Sequence, residues 1–232
     1  MLHKNAMCIV VLVMSLSHTL HISGQDYFSK RTNQINITGT LNSRYASQFE
    51  ISYQHRLFRY ADLGIGAGIL KQWCDAAEVY SGELSYKDYD QWSLNSDDYK
   101  IDQLFLRPYI QLYTPEIWHS GKCHFRMSSQ AGLMFVLPFE SVGITYSESN
   151  GNPYNDEYHI HHTSKGQWIV PFVRPMMEMT VENLGFAIGA EFSNLDIYSF
   201  RRNIHFHDVS FNNLYEKKRF TWGICLNLSY IL

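Results

Sequence analysis

The sequence predicts an all-β chain: a transmembrane antiparallel up-and-down β-barrel of about eight strands, following an N-terminal signal peptide. Three observations predict it. Segments of roughly 9 to 14 residues alternate apolar and polar side chains with period two. The connections between them are short and long by turns. Past the first 24 residues, no apolar run approaches the length of a membrane helix, the longest being residues 131–139. A chain that meets lipid without helices must close its strands into a barrel, because hydrocarbon offers the backbone no hydrogen-bond partners.

Composition narrows the class. The 232 residues suit one domain, aromatic residues reach 15%, and charged residues stand at 18%, below the roughly one quarter usual for soluble domains. A net charge of −3 leaves no basic footprint for nucleic acid, which is excluded as a partner.

The elements follow in chain order. His3 and Lys4 precede an apolar run over 6–20 and a small-residue stretch ending at Gly24, the order of a secretory signal peptide. The run is short for a spanning helix and is interrupted by Ser15, Ser17 and His18. Residues 1–24 are therefore expected to be removed, leaving a barrel domain over 25–232 that starts at Gln25. Cys8 lies inside the apolar run, which argues against a lipoprotein anchor. Cys74, Cys123 and Cys225 then remain, an odd and scattered set that indicates neither a disulfide framework nor a zinc site.

Strands are expected over 34–41, 45–57, 62–73, 101–113, 123–139, 168–180, 184–193 and 220–232. The last is the clearest: Phe220, Trp222, Ile224, Leu226, Leu228, Tyr230 and Leu232 alternate with Thr221, Gly223, Cys225, Asn227 and Ser229. Pro171 and Pro175 interrupt the sixth, and the first has the weakest pattern. Connections at 58–61, 114–121 and 181–183 are short, whereas 74–100, 142–165 and 196–218 are long and polar. Both chain ends then fall on the short-turn side. The short link at 42–44 departs from that rhythm.

Period-two alternation does not say which face is inside. The polar face decides, because it carries Gly64, Gly66, Gly68, Gly185, Gly189 and Gly223 with Ser and Gln, and almost no Lys. A solvated face would carry Lys, Glu and Thr, whereas glycines suit the narrow interior of an eight-stranded barrel. Charges on that face nearly balance: Glu50, Glu178 and Glu191 against Arg107, Arg126 and Arg174. Arg56 and Glu140 lie nearer the ends. Buried charges persist only when paired, so these six are expected to form a lumen charge network that closes the barrel. Tyr45, Tyr53, Trp73, Tyr113, Trp168, Trp222 and Tyr230 are expected to form interfacial girdles.

With these features the chain resembles the small eight-stranded outer-membrane β-barrel proteins of Gram-negative bacteria, in the porin-like superfamily. The resemblance covers 25–232 and rests on the export signal, the strand and loop rhythm, and the final strand from Trp222 to Leu232. It implies residence in the cell outer membrane, contact with its lipid, and recognition of the C-terminal strand by the outer-membrane assembly machinery. The peptidoglycan-binding extension of some relatives is not expected here.

Candidate chemistry is sparse. Some barrels of the superfamily are lipid-modifying hydrolases, but His124 and Ser128 lie about 13 Å apart along one strand, too far to act as base and nucleophile. His55 faces outward near Tyr53 without an evident acid or serine. No enzymatic role and no cofactor are expected. His159 and His161 before the sixth strand, and His205 and His207 after the seventh, could meet above the barrel as metal ligands, with Asp156 or Glu157 nearby. The long loop over 74–100 is acidic and tyrosine-rich, with Asp75, Glu78, Glu83, Asp88, Asp90, Asp97 and Asp98 beside Tyr80, Tyr86, Tyr89 and Tyr99, and could bind an extracellular ligand. The expected role is a structural or surface-interaction protein of the adhesion type, with a small diffusion channel as the alternative and a lipid hydrolase third.

Overall fold

The computed structural model describes residues 33–73, 80–148 and 156–232. The expected signal peptide over 1–24 lies outside the described residues. In chain order the strands are β1 (Asn33–Asn42), β2 (Ala46–Phe58), β3 (Ala61–Gln72), β4 (Ser81–Tyr86), β5 (Tyr89–Leu94), β6 (Asp102–Tyr113), β7 (Trp118–Ser120), β8 (Cys123–Val136), β9 (Glu140–Ser147), β10 (Glu157–Thr163), β11 (Ile169–Val181), β12 (Leu184–Ser193), β13 (His205–Phe206), β14 (Val209–Ser210) and β15 (Thr221–Ile231).

Eight of these form one closed antiparallel ring in the order β1, β2, β3, β6, β8, β11, β12, β15, and β15 pairs back onto β1. Closure leaves this sheet without an open edge, which is what lets strands cross hydrocarbon. The first strand is real. Gln34, Asn36, Thr38 and Thr40 point inward while Ile35, Ile37 and Leu41 face out, and Ile37 sits opposite Leu228 of β15. The short β1–β2 link is a tight turn in which Tyr45 takes a φ of 53° and the Ser43 N–H donates to the Trp222 carbonyl at 2.8 Å.

The outer wall is apolar around the whole ring. Ile51, Leu63, Ile65, Leu106, Ile110, Met177, Ile188, Ile224 and Leu226 are all exposed, Leu226 to 61%. A continuous apolar surface of this extent is untenable in water and is the lipid-facing belt of a membrane-spanning barrel. Among the described residues no helix is long and apolar enough to cross a membrane, so the strands do the crossing. Tyr45, Tyr53, Trp73, Trp168, Trp222 and Tyr230 all sit on this outer surface. Tyr113 does not. It is 7% exposed and points into the lumen, because it shares parity with Arg107 on β6, so its assignment to the girdle is corrected.

The long connections also differ from expectation. Their described parts are not solvated loops but a folded cap. A four-stranded sheet ordered β10, β9, β5, β4 joins the first two, and the third folds beneath it through β13, β14 and two 3-10 turns, Arg201–Asn203 and Phe211–Asn213. The histidine segment expected to be a loop is thus strand β10.

Candidate functional site

The site is built in layers from the short-turn end upward. Lowest in the lumen, Arg126 grips Glu178 through two hydrogen bonds, of 2.8 and 3.2 Å, and its guanidinium lies 3.6 Å from the centroid of the Tyr113 ring. Tyr113 donates to Asp62 at 2.6 Å, and Asp62 also accepts from Arg56 at 3.1 Å. Above lies a neutral layer, where Gln130 and Gln54 both donate to Gln111 and Tyr109 donates to Ser52 at 2.9 Å.

Four charges then meet near the upper third of the barrel. Arg107 reaches Glu50 at 2.7 Å and Glu191 at 3.1 Å, while Arg174 reaches Glu191 at 2.6 Å and Glu50 at 3.2 Å. Gln48 accepts from Arg107 at 2.6 Å and donates to Glu191, and Gln130 accepts from Arg174 at 2.9 Å. All four charged side chains are at most 2% exposed. Two cations against two anions leave the layer neutral, and the hydrogen bonds offset the desolvation of each ion. The adjacent strand β3 makes room for this: a Cβ on Gly66 would lie 2.4 Å from Glu50 Oε1.

An apolar plug sits on top. Leu195, Ile197 and Phe200, from the third long connection, dip into the mouth and pack against Leu70, Phe105, Met134, Val136 and Val170 of the barrel wall. Among the described residues, these layers fill the lumen with buried side chains. The plug is pinned by Arg201, 2% exposed, which bonds Glu140 of β9 at 2.7 Å and the backbone carbonyls of Asp98 and Lys100. One side chain thereby ties all three long connections together. Its neighbour Arg202 is locked onto Asp196 and onto the Glu216 carbonyl at 3.1 Å. The sequence reading missed Arg201 and Arg202. The available signal was a connection too apolar to be solvated, holding Leu195, Ile197, Phe200, Ile204, Phe206, Phe211 and Tyr215.

Above the plug, the cap has a core of its own. Trp92 packs edge-on to Phe206 at 5.8 Å and tilted on Phe211 at 5.5 Å, with Leu84, Leu94, Val142 and Ile144 around them. Histidines line one side of this core. His161 lies 2.8 Å from the Tyr146 hydroxyl and stacks on Phe206, His159 stacks on Tyr146 and reaches Glu157 at 3.0 Å, and His207 stacks on Tyr86 at 3.6 Å. Burial first, then the neighbouring His159, His207 and His162, hold the His161 imidazole below its ordinary pKa. Burial pushes the Tyr146 phenol up to about 12.

The expected four-imidazole site is not assembled. His205 is exposed on the side of β13 opposite the inward Phe206, and among the described residues no three His, Cys, Asp or Glu side chains are placed to share a metal ion. Strand alternation is the reason: His205 takes the outer face when Phe206 enters the core. The other candidates for chemistry are likewise apart. His124 faces Glu116 at 2.9 Å at the short-turn end of the lumen, and His55 hydrogen-bonds Asn33 at 2.8 Å on the outer wall.

No protein-family model matches the chain, and no curated protein matches it. Among solved structures, the chain is similar to the N-terminal β-barrel domain of Pseudomonas aeruginosa OprF at 9% identity, covering 87% of this chain and 98% of that one, with a TM-score of 0.41. A major outer membrane protein from Thermus thermophilus gives 8% identity, coverage of 88% and 100%, and a TM-score of 0.45. Neisserial surface protein A gives 8% identity, coverage of 86% and 96%, and a TM-score of 0.39. No residue role is carried over from any of them.

Proposed function

We propose that this is an integral outer-membrane protein whose barrel is a closed anchor and whose working part is the cap, a surface-interaction module of the adhesion type. The observation that carries the reading is the double closure of the bore, by the Arg107, Arg174, Glu50 and Glu191 layer and by the Leu195, Ile197 and Phe200 plug above it. A channel has no use for two such layers. A folded cap, in contrast, presents a fixed surface, and Tyr158 and Ile160 stand 55% and 56% exposed on the outer face of β10. Rigid aromatic area at low entropy cost is what recognition surfaces use. The reading assigns no catalytic step and no cofactor, and it leaves β15 to be read by the assembly machinery.

Planar-bilayer recording tests the anchor: the reading expects a silent membrane, and stable single-channel currents would sink it. For the cap, cells displaying the protein should adhere to an extracellular-matrix surface, and Tyr158→Ala with Ile160→Ala should reduce adhesion without altering the heat-modifiable gel shift of the barrel.

A further inference from the structure

We infer that the long-loop rim between β15 and the β1–β2 turn is a binding site for the phosphate of an outer-leaflet lipid headgroup, held by Arg44, Lys217 and Arg219. The inference rests on the reading above only in placing that rim at the outer surface of an outer membrane.

Position comes first. Phe192 and Phe220 stack at 6.3 Å on the outer wall, Trp222 is 48% exposed beside them, and Tyr45 packs edge-on to Trp73 at 5.9 Å across the β1–β2 turn. Such rings mark the boundary between hydrocarbon and headgroups. Arg219 and Arg44 adjoin Phe220 and Tyr45 immediately beyond that boundary, and Lys217 lies two residues before Arg219.

Geometry brings Arg44 to the segment that carries the other two. The Ser43 N–H donates to the Trp222 carbonyl at 2.8 Å, and Arg44 Nη2 donates to the Phe220 carbonyl at 3.2 Å. Arg44 is therefore held against the chain directly after Arg219. Its Nε is enclosed yet has no hydrogen-bond partner. Lys217 and Arg219 are exposed, and among the described residues neither they nor Arg44 form an ion pair with an acid.

The surroundings sharpen the contrast. Several other cations of the cap and rim are matched, Lys218 by Glu216, Lys71 by Asp102, Lys87 by Glu157, Arg201 by Glu140 and Arg202 by Asp196, while Lys100 and Lys165 stand apart from this arc. Three unmatched cations on one short arc repel one another, and a counter-anion removes that cost. At headgroup depth a phosphate meets the need, because guanidinium forks bind its oxygens in pairs and each surface cation is attracted to anionic lipid.

The test is native mass spectrometry of the full chain in zwitterionic detergent, with bis-phosphorylated lipid A, its dephosphorylated form and inorganic phosphate offered separately. The wild type should retain the phosphorylated lipid, and Arg44→Gln with Arg219→Gln should weaken retention about tenfold or more. Lys217→Gln alone should give a smaller loss, in step with its single charge. Equal retention by wild type and double variant overturns the proposal, as does equal retention of dephosphorylated lipid. Protection by inorganic phosphate matching that of the lipid also overturns it, in favour of a small-anion site. The heat-modifiable gel shift reports whether each variant is folded. Conductance measured on the same preparation would sink the closed-anchor reading without moving the lipid result, so the two failures are distinguishable.

Discussion

The barrel and the cap exclude water by opposite means. In the barrel, apolar side chains face out and the interior is held by ions and amides, with Arg174 and Arg107 essentially inaccessible. In the cap, the sense is that of a soluble protein, with Trp92, Tyr146 and Phe211 inside and polar residues such as Ser81, Glu83 and Gln91 outside. The chain changes solvent between these regions, and its patterning inverts to match. The seam is the stretch Leu195 to Phe200, where apolar residues enter a lumen that is mainly polar below, apart from the small Met176, Ala187 and Cys225 cluster. The difference teaches that inward burial alone does not predict residue type. What lies on the other face does.

The largest effect should come from breaking the charge layer. Glu191 serves both Arg107 and Arg174, so Glu191→Leu leaves two buried cations sharing Glu50. Removing one partner of a buried ion pair costs about 3 to 5 kcal/mol. The urea midpoint of the barrel in lipid vesicles should fall accordingly, and adding Arg174→Leu should recover a large part of the loss. If the single variant unfolds at the wild-type midpoint, the lumen is hydrated and the contrast with the cap disappears.

Next in size is the clamp on the cap. Arg201→Ala strands Glu140, whose carboxyl is already pushed above its ordinary range by burial, and frees the carbonyls of Asp98 and Lys100. A loss of about 3 kcal/mol in cap-opening free energy is expected. Amide exchange of β5 and β9 should accelerate while that of β1 and β15 stays slow. Acceleration throughout would mean that barrel and cap open as one unit.

Much of this was legible beforehand, for physical reasons that differ by region. Each barrel strand repeats a two-residue rule imposed by its two environments, so Ile224 and Leu226 announced their face, and Glu50 and Arg174 announced theirs. The expected strand over 184–193 coincides with β12, and Glu191 shares its inward parity. Tyr113 was misplaced because its size and its place at a strand end were weighed above its parity. The cap was not legible because no repeat governs it. Arg201 acquires its role only when Asp98 and Glu140 converge on its own connection from 103 and 61 residues away in sequence. His159 and His161 share one face of β10, as their spacing implied, and the expected site fails instead at His205, which takes the outer face of β13.

A smaller, pH-dependent effect separates the regions again. The His161 pKa is lowered from 6.5 in the folded cap, so the folded form disfavours the proton. Its contribution to stability is therefore complete above about pH 6.5 and declines as pH falls from there through the folded value. Glu157 shifts downward through its hydrogen bond to His159, and its contribution is lost only at more acidic pH, below the ordinary carboxylate value of 4.5. His159 and His207 face His161 with Tyr146 and Phe206, His162 lies close by on the other face of β10, and each added proton raises the repulsion among the imidazoles. Cap amides should exchange faster at pH 5 than at pH 7.5 after correction for intrinsic rates, and His161→Gln should flatten that dependence. A wild-type profile as flat as that of the variant would remove His161 from the account.

The smallest effect is expected from an ion pair of the same chemical type placed in water. Lys122 and Glu182 meet across the short turns that join β6 to β8 and β11 to β12, both more than 60% exposed, and the pairing draws the Glu182 carboxyl below its ordinary range. Solvent screens such a pair, and holding two long side chains together costs rotamer entropy that offsets the attraction. Lys122→Ala should leave the urea midpoint where it was, at both low and high salt. The comparison with Glu191→Leu is then internal to one barrel, with burial as the variable. If Lys122→Ala instead shifts the midpoint as far as Glu191→Leu, the stability of the barrel resides in its short-turn end rather than in its charge layer.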